Sequence, residues 1–355
     1  MGTLHGLDGI ASISLFSAIA GGIFILAVIN IIKPLPNIEF SPLLFIVGLG
    51  GIQFYFGYVE SYGLMFAGLA ISIWYAYRYL SRGTHFLTAV SIYAITCLAH
   101  FASLFIMPAF VVFMLYAMKD KGLPSWKKVF GIGSLAIVLI GLAYFNYFYT
   151  ASYGVEEREL LISLSPDGYW LFSINHIIDI LNSLLLTAMP ALILLPFLIR
   201  RSAWSGFKGR EILFTILMLL GAGAFLLLFN PELGFARDWD LFAGTGLTLS
   251  LIALALVYKN RKWIASHQSY LHTAALLPVV LTASFIAVNQ SKAQSVERFE
   301  YVLSLYEERS AHGYEVLGNY FRVEQKDRDD IRKSISYYRK AFEAKENPRY
   351  LLSVA

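Results

Sequence analysis

The sequence predicts an all-α, polytopic membrane helical bundle of about ten spanning helices over residues 1–289, followed by a small soluble helical tail over 290–355. Three observations predict it. First, 57% of the 355 residues are hydrophobic and 15% are charged, with a mean hydropathy of +0.60, and apolar runs near the roughly 20 residues that span a bilayer recur along the chain. Second, loops rich in lysine and arginine alternate with loops almost free of them, as the positive-inside rule requires. Third, the composition turns polar at Gln290, beyond which the chain carries twelve cations and eleven acids. A β-barrel is excluded because its strands would alternate in segments of about ten residues. Aromatic clusters such as Tyr144 to Tyr149 fall instead at the ends of apolar runs, where amphipathic rings favour the headgroup layer.

Taken in order, the spanning segments are 10–32, 42–57, 62–78, 86–99, 103–118, 129–149, 177–199, 212–229, 241–258 and 269–288. The second and third are joined by a very short turn, Gly57 to Tyr62, in which Glu60 is the one charge. The pair at 86–118 reads as a hairpin with His100 at its apex, because joining it into one helix would spoil the charge alternation. Ahead of the seventh segment, Tyr169 to Leu184 places apolar residues at helical spacing beside Asn175, His176, Asp179 and Asn182; it is either the start of that span or a helix lying in the interface. Gly21-Gly22, Gly48-Gly50-Gly51 and Gly221-Gly223 are read as close helix packing. The lone cysteine, Cys97, lies in an apolar run, so no internal disulfide forms and the side chain reads as core.

With ten segments, the loops at 33–41, 78–85, 118–128, 200–211 and 258–268 share a side and carry fourteen cations, whereas the opposite short loops carry two, Arg158 and Arg237. The fourteen are expected in the cytoplasm. Glu60, Asp179, Glu232, Asp238 and Asp240 then fall outside, as do the N-terminus and the tail. An external start without a leader peptide suggests that an odd number of helices precedes Met1, so the chain reads as an N-terminally truncated fragment.

The expected working face is external and centres on Asn230 to Ala243, where Glu232, Arg237, Asp238 and Asp240 sit between two apolar segments. Arg237 offers a fork for bidentate phosphate binding, and Asp238 and Asp240, separated by one residue, can share a divalent cation such as Mg²⁺ or Mn²⁺ with a diphosphate. The competing reading is a structural Arg–Asp pair. Glu60, held by two rigid helices and flanked by Tyr55, Tyr58 and Tyr62, suits metal coordination or proton abstraction from a sugar hydroxyl; against this stands a solvated turn carboxylate. His100 joins Arg237 as a candidate phosphate ligand, or is a helix-end histidine at the interface. No phosphate loop, zinc spacing or nucleophile elbow occurs, and no nucleic-acid partner is expected.

This architecture, the short turn with Glu60 and the late FARDWDLFA loop resemble the GT-C superfamily of polyprenyl-phosphate-sugar-dependent membrane glycosyltransferases over residues 10–288. The resemblance implies sugar transfer, at the outer face of a prokaryotic cytoplasmic membrane, from a polyprenyl-phosphate donor to a lipid, glycan or protein acceptor. By the same resemblance Glu60 matches the acidic residue of the second external loop, whereas the catalytic aspartate of the first would lie upstream of Met1, Asp8 standing too close to its helix. In the tail, Leu317 to Phe321, Ser334 to Ala341 and Pro348 resemble one tetratricopeptide repeat with a few residues inserted. A single repeat cannot bury its own apolar face, so the tail is expected to meet further repeats, the membrane domain or a protein partner. Three alternatives stand beside transfer: an O-antigen polymerase or ligase, disfavoured by a 150–176 loop with one arginine; a permease or flippase, disfavoured by the absence of mid-depth charges and internal symmetry; and a membrane-anchored scaffold acting through its tail.

Overall fold

The computed structural model describes residues 9–33, 41–56, 61–153, 161–166, 169–198, 200, 204–231, 233–260, 266–305, 310–324 and 328–353. Glu60 and Glu232 lie outside these residues. Among the described residues every regular element is helical, and one isolated antiparallel bridge links Leu161 to Phe229.

Helix α1 (Gly9–Ile32) is an uncharged 24-residue run. The expected span at 42–57 is instead a short helix, α2 (Ser41–Val47), and a 3-10 turn (Gly50–Tyr55). Three glycines account for the break. Each costs a helix about 1 kcal/mol relative to alanine, and here each lets a neighbour approach. A Cβ on Gly48 would stand 2.8 Å from Val279 Cγ2, and one on Gly50 would stand 2.6 Å from Leu186 Cγ.

Helix α3 (Tyr62–Arg82) has 21 residues, about 31 Å at 1.5 Å each, and stops at Gly83, whose φ of +76° closes a bond from its N–H to Tyr79 O. Helix α4 (Phe86–Ala99), a 3-10 turn (Phe101–Ile106) and α5 (Met107–Lys119) form the expected hairpin. Tyr93 stacks on Phe110 with ring centroids 3.7 Å apart, and Phe86 stacks on Phe113, so the two arms run antiparallel. Helix α6 (Ser125–Tyr153) is the longest.

The expected span at 177–199 is divided into α7 (Ile174–Thr187) and α8 (Met189–Leu198). Pro190 explains the division, because within a continuous helix its ring would clash with the carbonyl one turn earlier and leave it without a donor. Ile174 to Thr187 thus forms a helix of its own, set off from α8. Helices α9 (Gly209–Leu228), α10 (Trp239–Lys259) and α11 (Gln268–Gln290) follow. Six described segments are long and apolar enough to cross a membrane: Ala11–Ile32, Phe101–Lys119, Ser125–Tyr144, Gly209–Leu228, Trp239–Lys259 and Gln268–Gln290. The protein is a helical, multi-pass membrane protein. Nearly every residue of α10 from Asp240 to Val257 is buried, which makes it the central helix, whereas α6 keeps apolar residues such as Val129 and Ile140 exposed to the lipid phase.

Four of the five cation-rich loops meet at one end of this bundle. Lys208 Nζ donates to Ser81 O at 2.6 Å, Arg82 Nη2 to Tyr258 Oη at 3.0 Å, Lys259 Nζ to Glu211 Oε1 at 2.8 Å and Tyr79 Oη to Asp120 Oδ2 at 2.9 Å. The charge alternation read from sequence is therefore a grouping in space.

The chain divides into two compact units, Met1–Phe229 with Asp240–Thr282, and Asn230–Trp239 with Ala283–Ala355. The second holds the tail helices α12 (Lys292–Ser304), α13 (Ala311–Glu324), α14 (Arg328–Ala344) and α15 (Pro348–Leu352). Its boundary falls inside α11 rather than at 289/290, and it takes in the polar loop ahead of α10. Helices α13 and α14 pack as a hairpin around Leu303, Leu317 and Tyr337. Gly318 lies against the Tyr338 ring, and Ser334 Oγ donates to Gly318 O at 2.8 Å.

Candidate functional site

Within the second unit, the loop ahead of α10 is built on one residue. Gly234, with φ of +84°, turns the chain so that Arg237 N–H and Asp238 N–H both donate to its carbonyl, at 3.1 and 3.0 Å. Both side chains then close on Leu233: Asp238 Oδ2 accepts Leu233 N–H at 2.8 Å, and Arg237 Nε donates to Leu233 O at 2.6 Å. The Nε bond fixes the plane of the guanidinium. Arg237 Nη1 also lies 3.0 Å from where a Cβ on Gly313 would stand, so this arginine packs on α13. Trp239 meets the Phe285 ring edge-on at 5.5 Å, and Arg298 stacks over the other partner of that ladder, 4.7 Å from the Phe285 centroid. These contacts tie the loop to the tail.

In the first unit, Asp240 occupies the first turn of α10, 6% exposed, with Oδ1 accepting Leu241 N–H at 2.8 Å. A carboxylate there faces the positive end of the helix dipole, which offsets part of its desolvation. Because α10 ends at Lys259 among the basic loops, Asp240 marks the opposite end of the bundle.

His100 lies at that opposite end too, since α3 starts beside it: the Tyr62 and His100 rings are 4.4 Å apart. Its Nδ1 accepts Ala102 N–H at 3.2 Å, which leaves the proton of the neutral ring on Nε2. Burial pulls its pKa from 6.5 down to about 4. At neutral pH His100 can donate one hydrogen bond but brings no positive charge. A folded-state pKa below the unfolded one means that the neutral ring stabilises the fold; this contribution is complete above about pH 6.5 and is lost as the pH falls towards 4. Thermal unfolding in detergent should therefore move to lower temperature across that window, with a shallower slope for His100→Asn; equal slopes would show that His100 is not the group responsible.

Sequence reasoning missed one arrangement at this end. His176, 0% exposed, sits in the first turn of α7, which Ser173 caps by accepting His176 N–H at 3.2 Å. Its Nε2 is 3.1 Å from Leu227 O, an acceptor without a proton, so Nε2 donates. On the other side Tyr169 Oη lies 3.1 Å from His176 Nδ1 and 2.8 Å from Asp179 Oδ2. One phenolic proton cannot serve both contacts. Both are satisfied when one more proton is present, either as an imidazolium facing a carboxylate or as a neutral ring facing a carboxylic acid, and the phenol is the bridge between the two states. Burial lowers the His176 pKa, opposed by the Leu227 bond and the Asp179 charge. Chemically this is an acid–base relay. The i, i+3 spacing of His176 and Asp179 was legible as a shared helix face, but Tyr169 reaches them from a loop, for which the sequence holds no signal.

Among the described residues no group of three or more His, Cys, Asp and Glu is placed to hold a metal ion. One oxygen of each aspartate read as a cation ligand already accepts a backbone N–H, Asp238 from Leu233 and Asp240 from Leu241. Comparison with known protein families, with curated proteins and with solved structures finds no match to this chain.

Proposed function

We propose that this protein transfers a sugar from a polyprenyl-phosphate-linked donor to a lipid, glycan or protein acceptor at the membrane face opposite the basic loops. The observation that carries the reading is Asp240, a carboxylate nine-tenths buried at the head of the central helix. A buried acid at the edge of hydrocarbon is costly, and such groups commonly mark functional sites. In this reading a carboxylate, Asp240 or Glu60, takes the proton of the acceptor hydroxyl as its oxygen attacks the anomeric carbon. The bond from that carbon to the phosphate oxygen breaks, and the polyprenyl phosphate departs with the electron pair. Arg237 is the residue read as binding the donor phosphate, the Asp238–Asp240 spacing would suit a divalent cation, and in the first unit the Nε2–H of His100 is a donor to offer a phosphate oxygen. The external leaflet and a cell-envelope setting belong to this proposal, as does the reading of the tail as a tetratricopeptide-like partner module.

A second reading has its own support. The packing of Arg237 on Gly313 favours a structural loop that fastens the tail, with the protein serving as a membrane-anchored scaffold. Sugar transfer measured in membranes from cells expressing the protein separates the two. Asp240→Asn and Arg237→Ala should each lower transfer by at least about a hundredfold, the scale of losing one transition-state contact. Transfer unchanged in both variants, with tail partners lost in Arg237→Ala, would replace the enzymatic reading by the scaffold.

A further inference from the structure

At the basic end of the first unit, α3, α9 and α10 line a small open cavity of about 30 Å³ whose wall carries Arg78, Arg82 and Lys259 against a single acid, Glu211. Glu211 is already satisfied: it is 0% exposed, it pairs with Lys259 at 2.8 Å, and its other oxygen accepts Lys208 N–H at 2.6 Å. The charge left over is that of the two arginines. Arg82 reaches Tyr258 Oη, a neutral partner, and Arg78 has no carboxylate within salt-bridge distance among the described residues. One turn earlier on α3, Trp74 is 7% exposed, and its Nε1–H is buried without a hydrogen-bond partner. An unmet donor in such a place costs about 1–3 kcal/mol, and the indole that carries it forms part of the wall of the basic cavity.

Trp74 lines a second cavity as well. This one, about 190 Å³, runs between α1 and α3 and is walled by Ile23, Leu26, Ala27, Ile71 and Tyr75. It opens to the lipid phase, with Leu26 64% exposed. A cationic cavity with an unmet N–H donor therefore adjoins an apolar groove, and one indole forms part of both. Loop cations alone satisfy the topology rule; they do not need an arginine set inside a helix, in a cavity wall, next to an apolar channel.

We propose that these two cavities form one binding site for an anionic phospholipid, its phosphate against Arg78, Arg82 and the Trp74 N–H, and an acyl chain along the α1–α3 groove. The site is independent of the transfer reading, because it lies at the other end of the bundle from Asp240 and His100.

The test is native mass spectrometry of the full chain in detergent, supplied with phosphatidylglycerol or phosphatidylcholine, with and without millimolar inorganic phosphate. Phosphatidylglycerol should be retained several-fold better than phosphatidylcholine and should resist inorganic phosphate. Retention should fall about fivefold in Arg78→Gln and about twenty-five-fold when Arg82→Gln is added, from the roughly fivefold that each basic residue contributes at a membrane surface. Ala27→Trp, which fills the groove, should lower retention without touching a charge, and Lys121→Gln, an exposed cation of the same end, should leave it unchanged. If the double variant aggregates, Trp74→Phe carries the test, with a loss of about fivefold for one hydrogen bond. Equal retention of the two lipids, or retention indifferent to Arg78 and Trp74, would overturn the site. Displacement by inorganic phosphate with no effect of Ala27→Trp would also overturn it, by reducing it to a pocket for free anions.

Discussion

A Gly221→Val variant is expected to reach the membrane at less than about a tenth of the wild-type level, whereas Gly223→Val, two residues along the same helix, should accumulate nearly as the wild type does. A Cβ on Gly221 would collide with the carbonyl oxygen of Phe105 and stand 3.0 Å from its carbonyl carbon. The obstacle is backbone, in the 3-10 turn that leads into α5, so no side-chain rotation can relieve it. Relief requires α9 to move off the hairpin, which opens the Phe105–Phe225 contact at 5.7 Å and the Phe110–Phe214 contact at 5.7 Å. Overpacking of this kind costs about 3 kcal/mol or more when the backbone must shift, a large part of a domain's whole stability. Nothing lies within 4 Å of a Cβ on Gly223, so substitution there meets open space. Fluorescence-detected size-exclusion chromatography of tagged variants reads the difference directly, and equal peaks for the two would mean that α9 does not approach the hairpin as described.

Removing the acid at the basic end should be nearly as damaging. In Glu211→Ala, Lys259 loses its partner beside the Phe207 ring, which it already overlies at 5.3 Å, and Lys208 N–H loses its acceptor at the start of α9. Breaking a buried pair by deleting one member costs about 3–5 kcal/mol; the lower figure applies here, since the Lys259 side chain keeps 20% of its exposure. Glu211→Gln retains an oxygen for Lys208 N–H and should recover part of the loss. The thermal midpoint in detergent should therefore fall in the order wild type, Glu211→Gln, Glu211→Ala. A Glu211→Ala midpoint equal to that of the wild type would show that Lys259 is satisfied by solvent.

The charge pattern was the most informative reading of the chain. Fourteen cations assigned to five loops by alternation include those that meet around Ser81, Tyr258 and Glu211. Segment count was less legible, because hydropathy sums over a window and does not register where a helix must stop. Gly48, Gly50 and Gly51 divide the second predicted span, and Pro190 divides the seventh, although each window is apolar enough on average to read as one span. The glycine pairs show the same limit. Gly21 and Gly221 meet Tyr55 and Phe105, while their neighbours Gly22 and Gly223 meet nothing within 4 Å; two glycines close together in sequence point in different directions on a helix, and sequence does not say which direction holds a neighbour.

The sequence by itself determined the solvent of this protein, the helices that solvent demands, and the common end of the bundle at which four of its five basic loops meet. All three follow from transfer free energies that each residue carries locally, independent of its partners. Only the tertiary structure decided that Arg237 and Asp238 both close on Leu233, that Tyr169 bridges His176 and Asp179, and that Trp74 stands between a basic cavity and an apolar groove. Hydrogen bonds act over about 3 Å, and residues many positions apart come within that distance only once the helices have packed.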